Sequence, residues 1–157
     1  MNGKTVEQSK VIVGSLMQPA QANIAGNVHG GEVMKLMDNA GGIVARRHAR
    51  TNVVTARVDI LEFHQPINIG NYVKCVGELT FVGNSSMEVL LTVTVEDLSK
   101  EEAPKTALTG YFTYISLDEN GKPAPVPQLE ICNEDEERRF EEGKKRYLKY
   151  KQYKKNK

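Results

Sequence analysis

Apolar positions along the chain fall into two rhythms. A short apolar run inside residues 9–19, SKVIVGSLMQP, stops at Pro19 and predicts a first strand. The loop AQANIAGNVHGG follows, and from about Gly31 to Arg47 the spacing becomes helical. Four segments rich in Val, Ile, Thr, Tyr and Phe then predict strands at Val53–His64, Tyr72–Val82, Met87–Leu98 and Thr106–Leu117. Turn signals separate them: PINIG, GNSS and SKEEAPK. Such short joins favour antiparallel hairpins over parallel crossovers. Strands of about 11 residues exceed the usual length and suit a curved sheet, with one central helix for it to wrap around.

A helical wheel at about 100° per residue sharpens the picture of that helix. Val33, Leu36, Met37, Ala40, Val44 and the stem of Arg47 form one apolar stripe. Met34, Asp38, Gly41 and Ala45 form a second on another face, leaving Glu32, Lys35, Asn39 and Arg46 for a narrow polar side. This predicts a buried helix whose small residues Ala40, Gly41, Gly42 and Ala45 admit the close approach of another backbone. Beyond the last strand, DENGKPAPVPQLE is an aperiodic connector punctuated by prolines. Asn133 and Glu136 then resemble a capping box. The segment that follows runs from acidic to basic, the polarity that complements a helix dipole, with Gly143 as a weak point and the last turns fraying.

Composition narrows the classes. A chain of 157 residues with 39% apolar and 26% charged positions reads as one globular domain. Its formal charge of +1 lacks the global field of a nucleic-acid-coating protein. Cys75 and Cys132 make neither a disulfide framework nor a metal knuckle. His29, His48 and His64 lack metal-ligand spacing, so no metal is expected. Apolar runs fall far short of a membrane span and the N-terminus is no signal peptide, so the expectation is a soluble cytoplasmic protein. Neither a G-x-S-x-G elbow nor a phosphate-binding glycine loop occurs.

Two constellations could carry chemistry. Asp38 is a poor mid-helix residue placed among Met34, Gly41 and Ala45. It reads either as a structural carboxylate tied to a nearby polar group or as a catalytic base. Asn27, His29, Gly30 and Gly31 precede and open the helix. Free N–H groups there, at the positive end of the dipole, could stabilise an oxyanion, or the segment is an ordinary helix entry capped by Asn27 or His29. His64 reads as structural, Ser85 and Ser86 as turn formers, and the basic tail as a solvated helix end.

The block GNVHGGEVMKLMDNAGGIVARRH closely resembles the helix motif of acyl-CoA thioester hydrolases in the hotdog superfamily. In the same order as in the cytosolic long-chain acyl-CoA hydrolases stand NVVTARVDILEFHQPINIGNYV, SSMEV, GYFTYISLD, PVPQL and RRFEEGKKRYLK, so the likeness runs from about Ser9 to Lys149. It implies an α+β hotdog fold: a curved antiparallel sheet around one long central helix, with a C-terminal helix. Residues 1–132 would form the hotdog domain and 133–157 the charged helix and basic tail.

The resemblance also implies hydrolysis of acyl-CoA to fatty acid and coenzyme A, with no metal or covalent cofactor. Asn27 and Asp38 match the family's catalytic positions, and Gly30 with Gly31 would supply the N–H groups for the thioester carbonyl. Candidate coenzyme A contacts are Val54, Thr55, Arg57, Ser85, Ser86 and Arg146. A non-enzymatic acyl-CoA-binding regulator and a hotdog dehydratase are the alternatives; the latter would need His64 or His29 with an acidic partner. Gly30 and Asp38 stand eight residues apart, about 12 Å along one helix and about 80° around it. They cannot serve one thioester carbon from the same chain, because reacting groups must come within about 3–3.5 Å. A homodimer with antiparallel helices is therefore expected, its small stripe of Gly41 and Ala45 facing the partner, and relatives often stack three such dimers. Neither nucleic acid nor a stable membrane anchor is expected as a partner.

Overall fold

The computed structural model describes residues 1–157. In chain order the elements are β1 (Lys4–Thr5), α1 (Val6–Ser9), β2 (Val11–Leu16), a 3-10 turn (Pro19–Gln21), α2 (Gly30–Ala49), β3 (Asn52–Phe63), β4 (Tyr72–Val82), β5 (Ser86–Glu96), β6 (Lys105–Leu117), β7 (Leu129–Glu130) and α3 (Glu134–Lys155). The four long strands and α2 begin and end within two residues of the positions read from the sequence. The very short β1, α1 and β7 were not anticipated, since elements of two to four residues carry no readable period. β1 and β7 pair in parallel and tie the N-terminus to the proline-rich connector.

The main sheet has the order β2-β4-β5-β6-β3, with every neighbouring pair antiparallel. One face carries α2, and there Val33, Met37, Ala40 and Val44 pack with Leu79, Val89, Leu91 and Phe112 in a single core. The two stripes expected on α2 merge into this buried face, which also takes in Gly41 and Ala45. Two details differ from the wheel. Leu36 is only half-buried, and Arg47 is exposed, its guanidinium donating to the carbonyl of Lys10 at 2.8 Å instead of covering the core. Nor is α2 buried all round, for Lys35, Asn39, Ile43 and Arg46 line an exposed side.

Gly41 has a different purpose from the one expected. A Cβ there would lie 2.2 Å from the Tyr114 hydroxyl, so the glycine admits the chain's own tyrosine under the helix rather than a second helix. At Gly42 a Cβ would meet nothing within 4 Å.

The outer face of the sheet carries α3. Asn133 caps it by accepting the Glu136 N–H at 2.8 Å, while the Glu136 carboxylate accepts from the Cys132 N–H, one residue earlier than a standard box. Gly143 interrupts nothing: α3 runs helical to Lys155, and Gly143 is its one buried residue. A Cβ there would sit 2.7 Å from the Phe81 Cβ and 3.0 Å from Glu88 Oε1, so the glycine is where helix backbone meets sheet. Around it Phe81 packs on Phe140 and Tyr147 at centroid distances of 5.0 and 5.2 Å. Arg146 grips the buried Glu88 carboxylate through Nε (3.0 Å) and Nη2 (2.8 Å) and stacks over Tyr111. Thr80 adds a third hydrogen bond to Glu88, so the buried charge is fully engaged.

Two irregularities in β3 decide which side chains share a face. Thr55 pairs with Tyr114 and Arg57 with Thr113, so Ala56 is a bulge. Without it Arg57 would lie on the same face as Thr55; with it Arg57 turns to the outer face and stacks on Tyr150 of α3 at 3.8 Å. A second irregularity between Asp59 and Glu62 holds Ile60 at a φ of 48°, a strained setting for a β-branched residue.

Gly143 and Gly42 should therefore respond differently to the same change. Gly143→Ala should lower stability by about 1–3 kcal/mol through overpacking, although alanine is the better helix former. Gly42→Ala should be neutral or stabilise by up to about 1 kcal/mol. Urea unfolding of both variants checks the contrast.

Candidate active site

The loop before α2 is held by its main chain. Val28 N–H donates to the Ile67 carbonyl (2.8 Å), His29 N–H to that of Gln21 (2.7 Å), and Asn27 N–H to the Asn23 side chain (3.1 Å). The Asn27 amide side chain is left exposed and without a hydrogen bond. His29 caps α2: its Nδ1 accepts the Gly31 N–H at 3.1 Å. That engages one of the two glycine donors expected for an oxyanion. The Gly30 N–H makes no hydrogen bond and lies at the positive end of the helix. Phe63 flanks it, about 3.7 Å from where a Gly30 Cβ would be.

Asp38 is half-buried beside β3 and β6, so the desolvated setting expected from the wheel is not found in the single chain. Its Oδ1 accepts two hydrogen bonds, from Thr55 Oγ1 at 2.7 Å and from Tyr114 Oη at 2.9 Å. The single Tyr114 hydroxyl hydrogen is shared with the Asp38 main-chain carbonyl at 3.0 Å. Oδ2 has no protein partner, and Asp38 is one wall of a cleft of about 300 Å³ whose other walls include Asn39, Gly42, Asn52, Thr55 and Tyr114. One oxygen is thus fixed and the other is free to take a proton or attack a carbon.

Tyr114 was not singled out from the sequence. It looks like any aromatic of a half-buried strand, and the one available signal was a glycine facing it from α2. Burial pushes its phenol pKa up, and the hydrogen bond to Asp38 and that carboxylate's charge push it further, so it remains a donor at any working pH. Thr55, expected as a coenzyme A contact, is a direct partner of Asp38.

The other expected coenzyme A contacts lie apart from this carboxylate. Val54 pairs with Ile115 and shares its outward side, so only its main chain borders the Asp38 face. Ser86 also pairs with Ile115; its buried Oγ has no partner and sits near Gly83 and Tyr147 on the α3 side. Ser85 offers a main-chain carbonyl that already accepts the Ser116 N–H at 2.9 Å. Arg57 and Arg146 do come together, in a groove of about 460 Å³ with Lys149, Tyr150 and Tyr153, but on the outer face. Arg146 is committed to Glu88, and Arg57 lies 3.8 Å from Asp59. Within one chain no hydrogen bond joins Asn27 or Gly30 to Asp38.

Comparison with known proteins bears on the family and the fold. The family model described as "Thioesterase superfamily" matches residues 25–102. The rat cytosolic acyl coenzyme A thioester hydrolase is 45% identical over 148 residues, which is 94% of this chain and 39% of that protein. The chain therefore spans about two fifths of the length of that curated relative. A crystal structure of an apo-hexameric acyl-CoA thioesterase superposes with a TM-score of 0.90 at 31% identity, covering 98% of this chain and 97% of the other. An acyl-CoA hydrolase from Staphylococcus aureus, solved in complex with butyryl coenzyme A and coenzyme A, superposes at 0.81 with 29% identity and coverage of 98% and 97%. The same hydrolase has been solved with an aspartate, an asparagine or a threonine replaced by alanine. A sheet with α2 on one face, a near-complete superposition and a match that includes the Asn27–Asp38 segment lead to one family: the chain belongs to the thioesterase superfamily, with the hotdog fold.

Proposed function

We propose that this chain hydrolyses fatty acyl-CoA to a free fatty acid and coenzyme A. The observation that carries the reading is the Asp38 carboxylate at the wall of a cleft, with Oδ1 fixed by Thr55 and Tyr114 and Oδ2 without a protein partner. The similarity to acyl-CoA hydrolases, one of them holding butyryl coenzyme A, supplies the substrate class. Asp38, Asn27 and Thr55 are also the residue types replaced in the Staphylococcus aureus variants.

On this reading Oδ2 removes a proton from water that attacks the thioester carbon, or attacks it directly to give a mixed anhydride. Either way the C–S bond breaks, the thiolate leaves and takes up a proton, and water supplies the second carboxylate oxygen. Asn27 positions the thioester or the water. The uncommitted Gly30 N–H stabilises the oxyanion, while Gly31 can assist only by giving up its bond to His29. The reaction as written involves no metal and no cofactor beyond the coenzyme A of the substrate.

Because Gly30 and Asp38 stand about 12 Å apart along α2, we propose a homodimer with two composite sites. β3 is an edge strand with exposed Val54, Val58, Ile60 and Phe63, which suits pairing with a second copy. Three such dimers would make a hexamer like that of the apo-hexameric neighbour. No helix is long and apolar enough to cross a membrane. We place the activity in the cytoplasm, without nucleic acid or a stable membrane anchor.

Asp38→Asn keeps the shape and removes the charge, and should reduce turnover of acyl-CoA about 100-fold or more in a thiol-release assay, with the melting profile retained. Tyr114→Phe keeps the ring under Gly41 and removes one donor. Turnover should drop about tenfold with KM nearly unchanged, the size expected for one hydrogen bond to a charged group. Mixing inactive Asn27→Ala and Asp38→Ala proteins under subunit exchange should restore about a quarter of wild-type activity, since half the dimers are mixed and half their sites intact. Absence of recovery despite demonstrated exchange would put Asn27 and Asp38 in one chain's site.

A further inference from the structure

Helix α3 is electrically divided at Gly143. Its six carboxylates, from Glu134 to Glu142, all precede that residue. The eight charges that follow, Arg146 and seven lysines, are all positive. Residues 1–142 carry a net charge of −7, so a chain that is nearly neutral overall has one strongly positive end.

The two halves also use their charges differently. Arg138 and Arg139 pair with Asp135, Glu142 and, on β4, Glu78, and Arg146 is committed to Glu88. The seven lysines after Gly143 are exposed and none forms an ion pair or donates a side-chain hydrogen bond. Lys151, Lys154 and Lys157 rest over the rings of Tyr147, Tyr150 and Tyr153, each four residues back, at 5.0, 5.9 and 5.3 Å. That contact steadies their stems and leaves their charge unneutralised. Serving the helix dipole accounts for Lys154 and Lys155 in the last turn, because the effect fades within one turn. It does not account for Lys144, Lys145, Lys149 and Lys151.

One face of this helix is pinned to the sheet by Phe81 on Tyr147, Arg146 on Glu88 and Arg57 on Tyr150. The opposite face is thereby fixed outward. At about 100° per residue its centre is Leu148, which is 53% exposed, and Lys144, Lys145, Lys151 and Lys155 surround it at i−4, i−3, i+3 and i+7. An exposed leucine ringed by unpaired lysines, with no carboxylate among them, is what a helix shows when it meets a charged surface with an apolar layer beneath.

We propose that this face of α3 docks the folded protein reversibly on an anionic lipid bilayer. Acidic headgroups supply a continuous negative field that extends about 8–10 Å into solution, so lysines spread along about 16 Å of helix act together without a fitted partner for each. Flexible point charges suit such a field, whereas nucleic-acid phosphates favour arginine forks with open aromatic rings for the bases. Here Tyr147 and Tyr150 are half-buried against the sheet and Tyr153 is overlaid by Lys157. Leu148 enters the headgroup boundary at the centre of the patch. A single leucine makes this a salt-sensitive adsorption, not an anchor. The contact does not depend on the thioesterase reading; combined with it, docking brings the enzyme to the surface where long-chain acyl-CoA, an amphiphile, collects.

The test is flotation of the full chain with phosphatidylcholine vesicles, with and without phosphatidylserine. Wild type should float with the phosphatidylserine vesicles at about 0.05 M salt, be released at about 0.5 M, and ignore neutral vesicles. Replacing Lys144, Lys145, Lys151 and Lys155 by Gln should lower the partition coefficient about 100-fold or more, and replacing the same four by Arg should preserve it. Replacing four other exposed lysines, Lys74, Lys100, Lys105 and Lys122, by Gln removes the same charge and should leave binding within about threefold of wild type. The proposal is overturned if wild type does not float with phosphatidylserine vesicles, if it floats equally with neutral ones, or if the two Gln variants lose binding alike. Thiol release from a short-chain acyl-CoA without vesicles, measured in parallel, should be the same for wild type and the Lys144, Lys145, Lys151, Lys155 variant. Failure to float with thiol release intact removes the docking surface and leaves the thioesterase reading standing; flotation without thiol release does the reverse.

Discussion

The contact between Tyr114 and α2 is the constraint around which the rest is arranged. The tyrosine rises from β6 into the helix at Gly41, where any side chain would collide with its hydroxyl. That one missing Cβ lets α2 settle onto the sheet with Met37, Ala40, Val44 and Ala45 fully buried. It also puts the hydroxyl where it reaches both the main chain and the carboxylate of Asp38. Packing and chemistry are therefore fixed by the same contact. The core cannot tolerate a larger residue at 41, and the carboxylate is oriented by the group that the core demands. Raising the phenol pKa by burial costs nothing functionally, because a donor that never ionises is what a carboxylate needs beside it.

β3 separates two environments across a thin layer. Its first bulge keeps Thr55 on the α2 face and turns Arg57, two residues later, to the α3 face. On the inner side lies the cleft with Asp38, and on the outer side a cation- and tyrosine-rich seam that binds α3 through Arg57, Arg146 and their ring partners. The Glu88–Arg146 pair there is nearly enclosed, and its bidentate geometry with the Thr80 bond offsets the cost of burying it. Arginines that look equivalent in a composition count thus divide into those that hold the molecule together and those, Arg46 and Arg50, with no internal task.

The free Gly30 N–H marks the positive end of α2 and Asp38 its middle. An antiparallel second copy would bring the first of these to the second, which is how a single helix in each chain can furnish both halves of a hydrolytic site.

Much of this was legible in the chain itself. Element order and the long strands follow from period-2 runs separated by turn residues, and α2 from its 3.6-residue spacing, because these patterns are local and each residue reports its own environment. Asp38 stood out because a mid-helix aspartate among small residues contradicts local preference. What sequence spacing could not supply was facing. The bulge at Ala56 reverses the facing of β3 as far as the second irregularity before Glu62, so Arg57 lies on the α3 face and not with Thr55. Gly41 and Gly143 read as an opening for a partner and as a weak point, yet both are contact points made by residues far away in the chain, Tyr114 and Phe81. The sequence by itself determined which elements exist and which residue is chemically out of place. Only the tertiary structure decided what each glycine admits and which hydroxyls hold Asp38, since those depend on contacts between strands and helices that no local period encodes.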